Sequence, residues 1–224
     1  MENSVSILLD ESKWPYLNNP DLISKLELVA ITSFHKNTED AYIASILIFQ
    51  QIIEEMIRVL IMDSEFVLAT QLVSRFSYKI HPTKARMFGE YIEELKQGVE
   101  FCEKNEIIEK AQIVNKKRIE IAHKIVNIQS IEELYIMATD AKEDYHKIKK
   151  LFNSAHKEFI ESLKDERSEL ESAIDSDLRG IYYKEINKYN NAINHKILEE
   201  MYEKWLEEKG KKIRKKIIAE WLKE

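Results

Sequence analysis

Residues 134–159 read LYIMATDAKEDYHKIKKLFNSAHKEF, and their spacing decides the fold. Leu134, Ala138, Ala141, Tyr145, Ile148, Phe152, Ala155 and Phe159 recur at alternating intervals of four and three residues, giving four heptads of an apolar seam. The positions between them are crowded with Lys, Glu and Asp, as the solvent side of a helix requires. Three of the eight seam residues are Ala, which favours close packing within one chain. The segment therefore predicts one long helix with a single buried stripe. Working outward, the seam fades between Asp165 and Ser176, and Gly180 marks an expected break. A last helical stretch follows, with Ile186, Ile193, Ile197, Met201 and Trp205 near one face. Gly210 and the run Lys211-Lys212-Ile213-Arg214-Lys215-Lys216 precede a terminal apolar patch of Ile217, Ile218, Trp221 and Leu222. Residues 130–224 thus read as a long helical hairpin or a coiled-coil arm.

Toward the N-terminus the periodicity is that of a bundle. Residues 1–20 look irregular, punctuated by Pro15, Pro20 and Asn18-Asn19, with Asn19 or Asp21 capping a helix to about Phe34. A capping pattern from Thr38 opens a helix to about Met62, and Glu65 to Phe76 extends it or forms a separate one. Its apolar positions, Ile43, Ile46, Leu47, Phe49, Ile53, Met56, Ile57 and Leu60, wrap widely enough for a central helix. Thr83 to Phe101 and Glu106 to Val126 read as two further helices. Residues 1–129 are therefore expected to form an up-down bundle, and the whole chain to be all-α.

Composition agrees. Of 224 residues, 44% are hydrophobic and 33% charged, with only four Gly and three Pro, too few breakers for the turns of a sheet protein. The single Cys102 excludes an internal disulfide and a cysteine zinc site, and reads as a buried or half-buried helix residue. Neither a basic-then-apolar leader nor a membrane-length apolar run stands out, so a cytoplasmic location without membrane contact is expected. The richness in Lys, Glu, Ile and Asn suits an AT-rich bacterial genome. The net charge of −6 is −4 over residues 1–129 and −2 over 130–224, which argues against a broad duplex-binding surface but allows a local phosphate site.

Chemistry concentrates in Asn115-Lys116-Lys117-Arg118-Ile119-Glu120-Ile121-Ala122-His123-Lys124. Arginine supplies a permanent cation with a planar fork of donors, and histidine titrates near neutral pH. Positions five apart lie about 140° apart around a helix and about 7.5 Å along it, so Arg118 and His123 flank a groove rather than share a stripe. Glu120 is placed to orient the imidazole and Asn115 to bond a phosphate or the ring, with Lys116 and Lys117 as further cations beside them.

This segment resembles the signature of the HEPN superfamily, helical bundles that carry an Arg, four to six residues, then a His. Arg118, Ala122 and His123 match the common form Arg-Asn-x-x-Ala-His, and Ile121 suits its apolar slot. Ile119 departs from the polar residue usual after the arginine. Met87-Phe88-Gly89-Glu90-Tyr91-Ile92-Glu93-Glu94-Leu95 is similar to the aromatic-Gly phrase that often precedes the motif helix. The resemblance covers about residues 20–130 and implies metal-independent RNA cleavage without cofactor, with His123 as general acid or base and Arg118 on the scissile phosphate. It further implies a homodimer whose groove is shared between two motif helices, in a bacterial toxin or phage-defence protein with room for an antitoxin or other protein partner. The alternative is a non-catalytic interaction or scaffold module that works through its C-terminal arm.

Other residues read more plainly. His146 and His156 flank the seam without a His partner at helical spacing, and are expected in solvent. His35 and His81 lie beside turns, and His195 in a polar patch. Glu54 and Glu55 interrupt an apolar helix, with Glu54 expected to pair with Arg58 four residues on. The six cations from Lys209 to Lys216 either contact RNA beside Trp205 and Trp221 or simply face water.

Overall fold

A computed structural model describes residues 4–71, 87–124, 130–186 and 195–221, with only the backbone described for Ser4, Ser6, Gln71, residues 122–124, residues 195–197 and Trp221. The described residues are helices and short connections, without strands. They are α1 (Ser4–Leu8), a 3-10 turn (Glu11–Lys13), α2 (Pro20–Phe34), α3 (Glu39–Gln71), α4 (Phe88–Gln97) and α5 (Lys104–Lys124). Then come α6 (Ile131–Ile186), α7 (His195–Trp205), a π turn (Leu206–Gly210) and α8 (Lys211–Trp221). None of these helices is long and apolar enough to cross a membrane.

The chain divides into two compact units, Trp14–Ala69 with Tyr78–Glu161, and Met1–Lys13 with Thr70–Ser77 and Ser162–Glu224. The division falls inside α6, after Glu161. The reason is the seam. Leu134, Ala138, Ala141, Tyr145, Ile148, Phe152, Ala155 and Phe159 are all buried, and their helix contributes to the bundle's own core. Each large apolar side chain so buried contributes about 1.5–3 kcal/mol before entropy is counted.

Within the first unit, Phe34 of α2, Tyr42 and Ile46 of α3, Ile121 of α5 and Leu134, Ala138 and Ala141 of α6 form one cluster. Helix α2 is also pinned to α6 by polar contacts, with the Lys149 ammonium 2.6 Å from the Glu27 carboxylate and Lys142 over the Phe34 ring at 4.6 Å. The start of α2 is set by Asn19, which takes a left-handed φ of 50° and accepts from the Leu22 N–H at 3.1 Å. Glu55 grips Arg58 through two bonds of 2.6 and 2.7 Å and accepts the Asn18 N–H at 3.0 Å, so it is Glu55 rather than Glu54 that pairs with Arg58. Helix α3 runs unbroken to Gln71. Helix α4 is shorter than the sequence predicts, ending at Gln97; residues 83–86 lie outside the described residues. Its last carbonyls are taken by Lys104, only 2% exposed, whose ammonium donates to Lys96 O at 3.1 Å and Gly98 O at 2.9 Å. The shortened helix leaves Cys102 exposed in the α4–α5 turn, where the sequence suggested a buried or half-buried helical position.

The second unit is a helical hairpin closed on itself. Ile174, Leu178 and Tyr182 of α6 pack with Tyr202 and Trp205 of α7 and Ile217 of α8. The Tyr182 hydroxyl donates to Leu198 O at 2.9 Å, and the Trp205 indole N–H to Glu185 at 3.0 Å. Residues 1–20 are not wholly irregular, since α1 and the 3-10 turn precede α2, and Arg167 bonds to Glu11 within this unit. One expected break is also corrected. Helix α6 passes through Gly180 without interruption, because Leu178 and Tyr182 are buried on either side and outweigh the roughly 1 kcal/mol that a helical Gly costs. Gly210 does not end a helix but closes the π turn between α7 and α8. On α7 the buried face is Tyr202 and Trp205, while Met201 is 41% exposed; the side chains of Ile193 and Ile197 lie outside the described residues.

Candidate functional site

Helix α5 carries the Arg/His segment and turns three faces to three neighbours. The inner face holds Ala111, Val114 and Ile121, all buried. Arg118 stands on this same stripe, three residues before Ile121, and is half-buried. Its charge meets a carboxylate from α3. Glu54 is itself half-buried, and burial pushes its carboxyl above the ordinary value, opposed by the Arg118 charge and by a 2.9 Å bond from the Gln50 amide. Gln50 is 3% exposed, so a polar group of Gln50, Glu54 and Arg118 interrupts an otherwise apolar helix seam.

A second face of α5 looks toward α6. Lys117 lies 3.3 Å from both Asp140 and Asp144, and Lys110 lies 3.6 Å from Asp144. Lys117 is therefore engaged in an interhelical ion-pair group with Asp144 8% exposed, and its ammonium is held by the bundle itself.

The third face borders a groove of about 450 Å³ between α4 and α5. Gly89, Ile92 and Glu93 form one side. Gln112, Asn115, Lys116, Ile119 and Glu120 form the other. The Asn115 carboxamide packs over Gly89, its nitrogen 3.5 Å from where a Cβ would stand, and its oxygen is buried without a hydrogen-bond partner. Lys116 is exposed, and Ile119 is 45% exposed on the groove wall. Positions 112, 116, 119 and 123 fall on one stripe of a helix. The backbone of His123 thus continues this stripe within α5, while its side chain lies outside the described residues. Asn115, Lys116 and Glu120 are brought together in the groove; Arg118 is directed away from it.

A further polar pair has no signature in the local sequence. Asp63 of α3, wholly buried, bonds to Nδ1 of His156 on α6 at 2.8 Å. Burial pushes the Asp63 carboxyl up to about 6 against the pull of His156, and its other oxygen has no partner. The imidazole stacks on Phe152 at 5.4 Å and meets the edge of Tyr16 at 6.0 Å. His156 is therefore a bundle residue rather than the solvated flank that its heptad position suggested, whereas His146 is exposed as expected. His81 and the side chain of His195 lie outside the described residues.

Among the described residues no three His, Cys, Asp or Glu side chains converge in a way that would hold a metal ion. Compared with protein-family models, curated proteins and solved structures, the chain matches none.

Proposed function

We propose that this chain is a metal-independent endoribonuclease of HEPN type, with Arg118 and His123 as its catalytic residues. The observation that carries the reading is the half-buried Arg118 facing the half-buried Glu54 across α3 and α5. An apolar pair at that place would serve stability as well or better, because desolvating a cation and a carboxylate costs about what their attraction returns. A guanidinium at that place is suited to bind a phosphate. Glu54 acts on Arg118 through its charge alone, without a hydrogen bond or ion-pair contact, so the planar fork is left for the scissile phosphate.

In the proposed reaction His123 removes the proton from a ribose 2′-hydroxyl, and that oxygen attacks the adjacent phosphorus. The bond from phosphorus to the 5′ oxygen breaks, a proton passes to the leaving oxygen, and a 2′,3′-cyclic phosphate remains. Arg118 stabilises the charge that builds on the phosphoryl oxygens. Since positions 118 and 123 lie about 140° apart on α5, the pair is half of a groove that two copies complete. Asn115, Lys116 and Glu120 line the approach on the groove side, with Lys116 free to meet RNA. Lys117, bound to Asp140 and Asp144, supports the bundle instead. A toxin or phage-defence role, with a partner protein that restrains it, belongs to the same reading.

The alternative, a non-catalytic module acting through its C-terminal arm, draws less support, because the seam of that arm is buried within its own chain. RNA cleavage in chelator, with Arg118→Ala and His123→Ala alongside the unmodified chain, tests the proposal. Activity that disappears in both variants supports it; activity that survives both removes it.

A further inference from the structure

Helices α7 and α8 are one rod interrupted by the π turn Leu206–Gly210, a rare geometry that frequently marks functional sites. Its effect here can be read from phase. In an uninterrupted α-helix, Lys216 would fall within about 40° of the direction of Tyr202 and Trp205, pointing into their cluster. The π turn takes up one additional residue, which rotates the helix beyond it by about 100°. Ile217, 4% exposed, then joins Tyr202 and Trp205, and Lys211, Lys212, Lys215 and Lys216 all stand exposed on the opposite side. Lys209 and Arg214 from the same run are committed to Glu185 and Glu171 at 3.6 and 3.8 Å. Among the described residues no carboxylate lies within ion-pair distance of the four outward lysines, although Glu207 and Glu208 precede them and Glu220 follows. Like charges at i and i+4, as in Lys211/Lys215 and Lys212/Lys216, weaken a helix. Holding four of them together calls for an anion to neutralise them.

We infer that the outward lysine face of α8 is a binding platform for the phosphate backbone of single-stranded RNA. The inference deepens the ribonuclease reading, on which its choice of RNA rests. Phosphate repeats along a strand at intervals that paired lysines one helical turn apart can follow, and such contacts are independent of sequence. An anionic membrane is the poorer occupant. A helix that lies in a bilayer surface needs a free apolar face, and that of α8 is consumed by Ile213, Ile217 and Ile218 in the hairpin core.

The test is fluorescence anisotropy of a labelled oligouridylate with the full chain in chelator, across a salt series. The unmodified chain, Arg118→Ala, a fourfold Lys→Gln variant at 211, 212, 215 and 216, and the fourfold Lys→Arg variant are compared. Helical content by circular dichroism accompanies each. The expected result is binding weakened at least tenfold in the Gln variant, with the log–log salt slope lowered by about 3. The Arg variant is expected to bind as the unmodified chain does. Unchanged binding in the Gln variant overturns the platform and leaves the nuclease reading standing, whereas a chain that binds phosphatidylserine vesicles and not RNA overturns both. Lysine-dependent RNA binding by a chain that cleaves no RNA upholds the platform and overturns the nuclease reading.

Discussion

Asp63 is the residue at which the fold bears its clearest electrostatic cost. Wholly buried, with one oxygen on His156 and the other without a partner, its carboxyl is pushed up to about 6. The folded state therefore holds this proton more tightly than the unfolded chain, whose aspartates titrate near 3.9. The sign follows from that difference. The contribution to stability is fully present below about pH 4 and is lost as pH rises through 6, a loss of up to about 3 kcal/mol. Asp63→Asn keeps a bond to the imidazole but removes the buried charge. In urea unfolding at pH 7.5 it is expected to be more stable than the unmodified chain by about 1–3 kcal/mol, with the gap closing at pH 4.5. An Asn variant less stable at pH 7.5 would mean that the contact of Asp63 with His156 outweighs the cost of burying its carboxylate. Arg118 and Glu54 pose the same question more gently, since both retain access to water and their attraction opposes the desolvation of Glu54.

At the scale of elements, two glycines behave differently from one another. Gly180 lies inside α6 with nothing within 4 Å of where a methyl would stand, so its replacement by Ala meets open space. Gly180→Ala should stabilise by about 0.5–1 kcal/mol, read as a higher midpoint in thermal unfolding, because the helix loses its least favourable interior residue. A lower midpoint would show that α6 needs to yield at that point. Gly210 is buried against Leu206, whose Cδ2 lies 3.1 Å from the place a methyl would take, and it closes the π turn. If that turn is one residue inserted into a helix, then deleting Glu208 leaves a regular rod with the same faces. Such a deletion should cost under about 1 kcal/mol, whereas deleting Ser154 from α6 rotates the following seam by about 100° and abolishes cooperative unfolding. Equal damage from both deletions would contradict the assignment of one inserted residue.

Across the whole molecule, burial followed the heptad pattern where the chain is regular and departed from it where distant residues meet. All eight seam positions from Leu134 to Phe159 are buried because period alone specifies a helix face. Gly180 suggested a break that did not occur, since a breaker's cost is small beside the burial of Leu178 and Tyr182. The Asp63–His156 bond spans 93 positions, and no local spacing announces it. The same holds for Glu54 and Arg118, which belong to different helices. Within the candidate site, Asn115, Lys116 and Glu120 line one groove, and local spacing could not anticipate that Asp140 and Asp144 would claim Lys117. The central claim joins Arg118 and His123 in one reaction, and a single measurement addresses it most directly. Single-stranded RNA is incubated with the purified chain in chelator, and products are resolved for 2′,3′-cyclic ends. Cyclic-ended fragments are expected from the unmodified chain, with at least a hundredfold loss in both Arg118→Ala and His123→Ala and helical content retained. Cleavage that persists in either variant, or intact RNA with the unmodified chain, would contradict the claim.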